Sequence, residues 1–208
     1  MTTTPWQQCE FLVLRKTLYS ETSLVLAGVS PEHGQLHFMA RGARRWGRRD
    51  FPVADLFRVL AVTFRPGRGD LHSWQQAELV EDLGGLARHP DAYAVAMRLA
   101  KFALANTPAA LPAPRFCGAL RQALRWLADT PPGQPPPPAA WTGAVLAFLD
   151  EHGLLSLPGT ADSAPPPPPA AALLAAIGAG RTPPAAAPPD WEQLEAWLHA
   201  ALSRAECR

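Results

Sequence analysis

The spacing of apolar residues changes at Gly84-Gly85, and this change limits what the chain can fold into. Before it, short segments alternate apolar and polar residues between turn signals, which is the two-residue period of half-buried strands. After it, apolar residues recur every three or four positions, the period of amphipathic helices. The sequence therefore predicts an α+β fold, with a β domain over residues 1–82 and an α-helical domain over residues 83–208.

Five strands are predicted in the first domain. They are separated by the turn at residues 30–34, by an arginine-rich stretch and by a glycine-rich hairpin turn at residues 65–70. Five antiparallel strands within about seventy residues suit a small closed β-barrel of the OB-fold type. The predicted strands cover about Phe11–Lys16, Leu24–Val29, Gln35–Ala40, Leu56–Phe64 and Leu71–Val80.

The second domain is predicted to hold four helices joined by proline-rich connectors. The chain has 24 prolines, and proline is excluded from helix interiors, so most of them belong to connectors. The connectors are residues 131–138, 165–169 and 183–189; they act as spacers or, alternatively, as ligands for an SH3-like partner. The helical stripes are Tyr93, Met97, Ala100 and Leu104; Phe116, Leu120, Leu124 and Leu127; Trp141, Val145, Phe148 and Leu149; and Trp191, Leu194, Leu198 and Leu202.

The most distinctive candidate site is the stretch from Arg41 to Arg49, which contains five arginines and Trp46. Arginine pairs bidentately with phosphate, and an indole ring offers a base a surface on which to stack, so this mixture suits single-stranded nucleic acid. The alternative is a solvated loop whose charges only maintain solubility. The candidate nucleic-acid-binding residues are Arg41, Arg44, Arg45, Trp46, Arg48 and Arg49, extended by Arg15, Lys16, Arg65 and Arg68 at strand ends.

Charge is distributed unevenly along the chain. The formal net charge is only +1, but residues 1–80 carry ten Lys or Arg against seven Asp or Glu. Positive charge is therefore concentrated in the predicted barrel, which is the part expected to meet a polyanion.

Enzyme and metal sites have no visible candidates. Cys9, Cys117 and Cys207 are far apart, and the six histidines show no metal-binding spacing. Neither a phosphate-binding glycine motif nor a nucleophile elbow is present, and Cys117 on an apolar helix is expected to be a buried small residue. No catalytic residue, metal or other cofactor is predicted; a hydrolase or transferase using Cys117 or a histidine is the remaining enzymatic alternative. The absence of a signal or membrane-spanning segment predicts a cytoplasmic protein.

Several stretches of the first half carry a family resemblance. They are residues 13–24 (VLRKTLYSETSL), 30–34 (SPEHG), 40–45 (ARGARR), 67–72 (GRGDLH) and 77–80 (AELV). In order and spacing they resemble the N-terminal domain of the bacterial DNA repair protein RecO family. The resemblance covers about residues 10–105 well and the rest only loosely.

The resemblance implies a non-enzymatic recombination mediator. Such a protein binds single- and double-stranded DNA, anneals complementary strands and helps load the RecA recombinase onto strands coated by single-strand binding protein. It implies RecR as a partner, a nucleoid-associated location, and DNA contact at Arg41, Arg44 and Arg45. The tail of single-strand binding protein is expected to meet the helical domain, where Arg121 and Arg125 are candidates for an acidic ligand.

The chain departs from the family at one place. Many relatives carry a four-cysteine zinc module after a segment that residues 153–158 resemble, whereas residues 159–169 contain no cysteine. The zinc module is expected to be absent, with the 165–169 connector in its place. This departure and the near-zero net charge leave an alternative function: a degenerate scaffold that binds repair proteins but has weak affinity for DNA.

Overall fold

A computed structural model describes residues 5–21, 23–41, 54–67, 69–155, 166–167, 169–184 and 188–207. Within these residues, five strands precede five α-helices, which confirms the predicted order of a barrel followed by helices. The strands are β1 (Gln7–Leu18), β2 (Leu24–Ser30), β3 (Gly34–Ala40), β4 (Arg58–Arg65) and β5 (Leu71–Asp82). A 3₁₀ helix (Gly84–Arg88) leads to α1 (Pro90–Asn106), α2 (Pro114–Ala128), α3 (Pro138–Glu151), α4 (Pro169–Gly178) and α5 (Pro188–Arg204).

The strands close into a barrel in the order β1-β2-β3-β5-β4. Four pairings are antiparallel, and the pairing of β3 with β5 is parallel. The expectation of five antiparallel strands was therefore wrong at this pairing. A closed ring with an odd number of strands cannot alternate direction at every pairing, so at least one pair must be parallel. The closed OB-type barrel itself is confirmed.

Three phenylalanines form the centre of the barrel core. The Phe38 ring meets Phe11 edge-on at 4.8 Å between centroids and Phe64 at 5.1 Å. All three are almost fully buried, and each comes from a different strand. Alternate residues of the strands surround them, because side chains of one face recur every second position.

The chain divides into two compact units, residues 1–87 with 100–114, and residues 88–99 with 115–208. In the first unit the segment after α1 returns to the β2–β3 turn. The N–H of Gln35 donates to the Pro108 carbonyl at 3.2 Å, and the N–H of Ala110 donates to the His33 carbonyl at 2.9 Å. Gly34 allows this approach, since it has a φ of 64° and a Cβ there would lie 2.3 Å from the Pro108 oxygen.

In the second unit, α2 and α3 are connected by a carboxylate at the N-terminus of α2 and by a contact between two aromatic rings. The Glu151 carboxylate accepts hydrogen bonds from the N–H groups of Arg115 and Phe116, at 3.0 and 2.7 Å. It therefore occupies the N-terminus of α2, where a negative charge is favourable. Phe116 also meets Phe148 of α3 edge-on at 5.2 Å.

The α2 and α3 stripes are buried as predicted, but α4 was not anticipated. Its sequence is almost entirely alanine and leucine, so it has no polar face to produce a helical period. It packs on α3, where a Cβ added to Gly143 would lie 2.8 Å from Ile177. The prolines at the starts of α3, α4 and α5 belong to helix first turns, a position that proline tolerates.

The buried face of α1 differs from the predicted stripe. Met97 is exposed and Tyr93 is half-buried, while Ala96, Leu99 and Ala103 are fully buried. The predicted stripe followed the larger apolar residues of α1. The buried face instead includes small alanine side chains, which allow close packing, so the predicted face was rotated about the helix axis. Of the tryptophans in the helices, Trp126 and Trp141 are buried, and Trp191 and Trp197 are half-buried.

Candidate nucleic-acid interface

One end of the barrel, the turn end, gathers Lys16, Tyr19 and Arg41. Leu18 pairs with Leu24 and Leu24 with Ala40, so the residues that follow Leu18 and Ala40 emerge together. Two strand spacings, about 10 Å, separate the backbones there. The side chains of Lys16, Tyr19 and Arg41 are all exposed.

Tyr19 is an aromatic surface that sequence reasoning missed. It is 68% exposed, and its N–H donates to the Ser23 carbonyl at 3.1 Å, which holds the tight β1–β2 turn. The Ser20 N–H donates to the same carbonyl at 3.3 Å. The only signal in the sequence was an aromatic residue in a turn between two predicted strands.

Lys16 is partly neutralised by the protein itself. Its Nζ lies 2.5 Å from Oδ1 of Asp55, with both side chains partly exposed. Burial raises the pKa of Asp55, but the hydrogen bonds from Lys16 and from the Leu56 N–H outweigh it and lower the pKa overall. The carboxylate therefore stays charged and competes with any phosphate for Lys16.

Most of the arginine-rich stretch lies outside the described residues. This applies to Arg44, Arg45, Trp46, Arg48 and Arg49, and the description resumes at Ala54. The described residues on either side of it are fixed: Arg41 follows β3, and Asp55 binds Lys16 of β1. Both of these flanking residues lie at the turn end of the barrel.

Arg15 lies on the outer face of the barrel, between its two ends. It pairs with Ala27, which pairs with His37, so Arg15 and His37 flank one residue on the same face. Burial lowers the pKa of His37, and the positive charge of Arg15 lowers it further, against an opposing effect of Asp70.

The opposite end of the barrel, the hairpin end, holds Arg65. Its guanidinium lies 4.4 Å above the centre of the Trp6 ring, and Trp6 is 46% exposed. Because Phe64 pairs with Gln7, Arg65 stands opposite the beginning of β1, whereas Lys16 lies near its end. Among the described candidates, Lys16 and Arg41 therefore lie at one end of the barrel and Arg65 at the other, with Arg15 between the ends. Arg68 lies outside the described residues.

Arg121 and Arg125 are one helical turn apart on α2, and both are half-buried. The Nη1 of Arg125 donates to the Gln122 side-chain oxygen at 3.3 Å. Part of the hydrogen-bonding capacity of Arg125 is thus used within its own helix.

Little in the described residues suggests a reactive centre. Cys117 is buried, and burial raises the pKa of Cys9 to about 11, so its thiol is protonated at neutral pH. Among these residues there is no group of three or more His, Cys, Asp or Glu side chains arranged to hold a metal ion. Nor does any helix in the described ranges have the length and apolar character needed to cross a membrane.

Comparison with known proteins gives a match at the barrel. Residues 1–83 match the family model described as recombination protein O N terminal. The DNA repair protein RecO of Listeria welshimeri is 32% identical over 80 residues, which are 38% of this chain and 31% of the relative. The RecO proteins of Listeria innocua and of Listeria monocytogenes strain EGD-e match with the same identity and coverage. The match thus spans about a third of the length of these relatives.

Proposed function

We propose, from the match of residues 1–83 to the family model of the RecO N-terminal domain, that the protein is a DNA-binding mediator of repair and recombination. It binds single- and double-stranded DNA, anneals complementary strands and helps load recombinase onto strands coated by single-strand binding protein. It acts by binding and positioning strands and not by catalysis. In this proposal residues 1–82 bind nucleic acid and residues 83–208 form the helical domain.

The observation that carries the proposal is the convergence at the turn end. An exposed aromatic ring, Tyr19, follows β1, and an exposed guanidinium, Arg41, follows β3, with β2 between the two strands. Stacking surfaces beside cationic groups are the combination by which proteins hold single strands. Arginine also recognises phosphate through two parallel hydrogen bonds.

The mechanism follows from charge and stacking. Arginines that pair with phosphates release condensed counterions, so affinity for DNA falls steeply as salt rises. Two strands held at one cationic surface repel each other less, because the guanidinium groups screen their phosphates. Their bases can then pair, which is strand annealing.

The protein partners belong to the same proposal. RecR and single-strand binding protein are the proposed direct partners, and RecA is an indirect one. Arg121 and Arg125 on α2 are proposed to meet the acidic tail of single-strand binding protein. Because the proposed substrate is chromosomal DNA, the proposed location is the cytoplasm, at the nucleoid.

Two observations favour a second function, a scaffold that binds repair proteins with weak affinity for DNA. Lys16 already has a carboxylate partner in Asp55, and the net charge of the whole chain is only +1. A scaffold would keep protein contacts while its own carboxylates weaken the attraction to phosphate.

An annealing assay on complementary strands tests the two functions together. We expect the full chain to anneal both naked strands and strands coated with the cognate single-strand binding protein. Success on naked strands alone would remove the proposed partner contact. Failure on both, with no binding in fluorescence anisotropy at low salt, would favour the scaffold.

A further inference from the structure

The hairpin end of the barrel contains a pocket that the turn-end site does not use. Its volume is about 300 Å³, at the lower end of the range typical of small-molecule sites. This is room for one heterocyclic ring system. The lining side chains include Gln7, His33, Gln35, Phe64, Asp70 and His72.

Aromatic rings form the walls of this pocket, which is called the base pocket below. The His33 ring stands edge-on to Phe64 at 5.8 Å, and the His72 ring is tilted against Phe64 at 5.5 Å. The N–H of Gly67 donates to Nδ1 of His72 at 3.1 Å, so a neutral His72 carries its proton on Nε2. Burial lowers the pKa of His72, which keeps the ring neutral near pH 7 and suited to stacking.

The polar groups of the base pocket can read the edge of a ring. Gln7 and Gln35 each offer an amide donor and acceptor, and the exposed Asp70 carboxylate offers acceptors only. The amide nitrogen of Gln35 already lies 3.5 Å from Nε2 of His37, whereas Gln7 and Asp70 are exposed. A heterocycle that carries both donors and acceptors satisfies them, which is the chemistry of a nucleobase edge.

A cation and an aromatic ring near the base pocket can bind the phosphate of a nucleotide and a neighbouring base. Gln7 and Phe64 are a cross-strand pair that lines the base pocket, and Trp6 and Arg65 are their chain neighbours, so the stacked Trp6–Arg65 pair lies one strand position from the lining. The exposed guanidinium of Arg65 can meet a phosphate while the Trp6 ring remains accessible for stacking.

We propose that the base pocket takes one unstacked nucleobase of a single DNA strand, with the adjoining phosphate at Arg65. This inference rests on the proposed function and adds a contact at the end of the barrel away from Arg41. The Asp70 carboxylate accepts a hydrogen bond from an exocyclic amino group and repels a carbonyl oxygen. The pocket therefore prefers cytosine to thymine.

The preference is tested by comparing the affinities of short deoxycytidine and deoxythymidine oligomers for the full chain. Deoxycytidine should bind about fivefold or more tightly, the usual size of one base contact. Asp70→Asn should remove most of that ratio. Glu78→Gln, an equal change of charge at an exposed position of β5 outside the pocket, should keep it. Equal affinities for both oligomers, or loss of the ratio in both variants, would overturn the preference.

Occupancy is tested by the histidine ring signals of the full chain in NMR. Addition of the deoxycytidine oligomer should shift the His33 and His72 signals and leave that of His199, an exposed residue of α5, unchanged. Binding without a shift at His33 and His72 would overturn the base pocket and leave the proposed function standing, whereas no binding would remove both. Deoxycytidine monophosphate should shift the same signals only at much higher concentration; equal affinity would identify a free-nucleotide site instead.

Discussion

The guanidinium of Arg65 and the indole of Trp6 are stacked at 4.4 Å on the barrel surface, although 59 positions separate them in the chain. The pairing of β1 with β4 brings them together, since Gln7 stands opposite Phe64. An exposed stack of this kind contributes about 0.5–1 kcal/mol to stability. Its larger consequence is an ordered cation beside a flat ring at the edge of the base pocket.

Replacing Arg65 should weaken DNA binding more than it weakens the fold. We expect Arg65→Ala to lower affinity for single strands and to reduce the salt slope by about one unit, because one phosphate contact is lost. Fluorescence anisotropy over a range of salt concentrations measures both. Arg204→Ala, an equal loss of charge at an exposed position of α5, serves as the control. An unchanged slope in Arg65→Ala would remove Arg65 from the interface.

The arginine-rich stretch should contribute more to DNA affinity and to its salt dependence than Arg65 does. Replacing Arg44, Arg45, Arg48 and Arg49 together by Ala is expected to weaken binding to all sequences alike. The salt slope should fall by about one unit for every phosphate contact that is lost. Anisotropy with strands of different composition checks both points. If the slope stayed the same, the stretch would be a solvated loop.

Removing the carboxylate that competes for Lys16 should strengthen DNA binding. Asp55→Asn keeps an oxygen for the Leu56 N–H but lacks the charge that holds Lys16. We expect affinity to rise and the salt slope to increase by up to about one unit. Stability should fall by no more than about 1 kcal/mol, because the pair is largely exposed.

Glu21→Gln is the matched control for this experiment. It removes the same charge from an exposed position of the β1–β2 turn, where the structure gives Glu21 no ion pair with Lys16. Equal gains in the two variants would show that net charge alone sets the affinity. In that case, release of Lys16 would not be the cause.

Two glycine substitutions should change stability in opposite directions. Gly34→Ala forces a Cβ into a residue with φ of 64° and to within 2.3 Å of the Pro108 carbonyl oxygen. We expect a loss of about 1–3 kcal/mol from backbone strain alone. Gly118→Ala lies in α2 with open space around it and should gain about 0.5–1 kcal/mol. Urea unfolding of both variants measures whether the free energy of unfolding falls or rises. If Gly34→Ala left it unchanged, the close approach of residues 108–111 would be contradicted.

The ion pair between Arg58 and Asp82 should give stability a defined pH dependence. The hydrogen bond from Arg58 at 2.9 Å and that from the Gly84 N–H lower the pKa of Asp82. A folded-state pKa below the unfolded value of about 3.9 adds stability that is complete above that value. This contribution is lost as pH falls through the lower folded pKa.

Asp82→Asn should therefore reduce stability near neutral pH, by less than about 1 kcal/mol because the carboxylate is partly exposed. The difference from the unsubstituted protein should shrink as the pH is lowered below about 4. Urea unfolding at several pH values follows it, with the exposed Asp129→Asn as the control. A difference that grew in acid would contradict the assigned direction of the shift.

The positions of most elements could be predicted from the sequence because local periodicity encodes them. The alternation from Phe11 to Val80 located all five strands, and the stripe from Phe116 to Leu127 located α2 with its buried face. Residues such as Arg41 could be named as candidates because the arginine side chain pairs with phosphate. The helix α4 escaped, since an alanine-rich segment that is apolar on every side has no period to detect.

By itself, the sequence determined which segments are strands and helices, and where cationic residues concentrate along the chain. Only the tertiary structure decided which of these residues meet: that β3 runs parallel to β5, that Arg65 stacks on Trp6 and not beside Lys16, and that His33 and His72 share a pocket. The physical reason is that hydrophobic period and turn chemistry act over a few residues. Strand register and barrel closure are set by packing of the whole core, and they join residues that no local pattern connects.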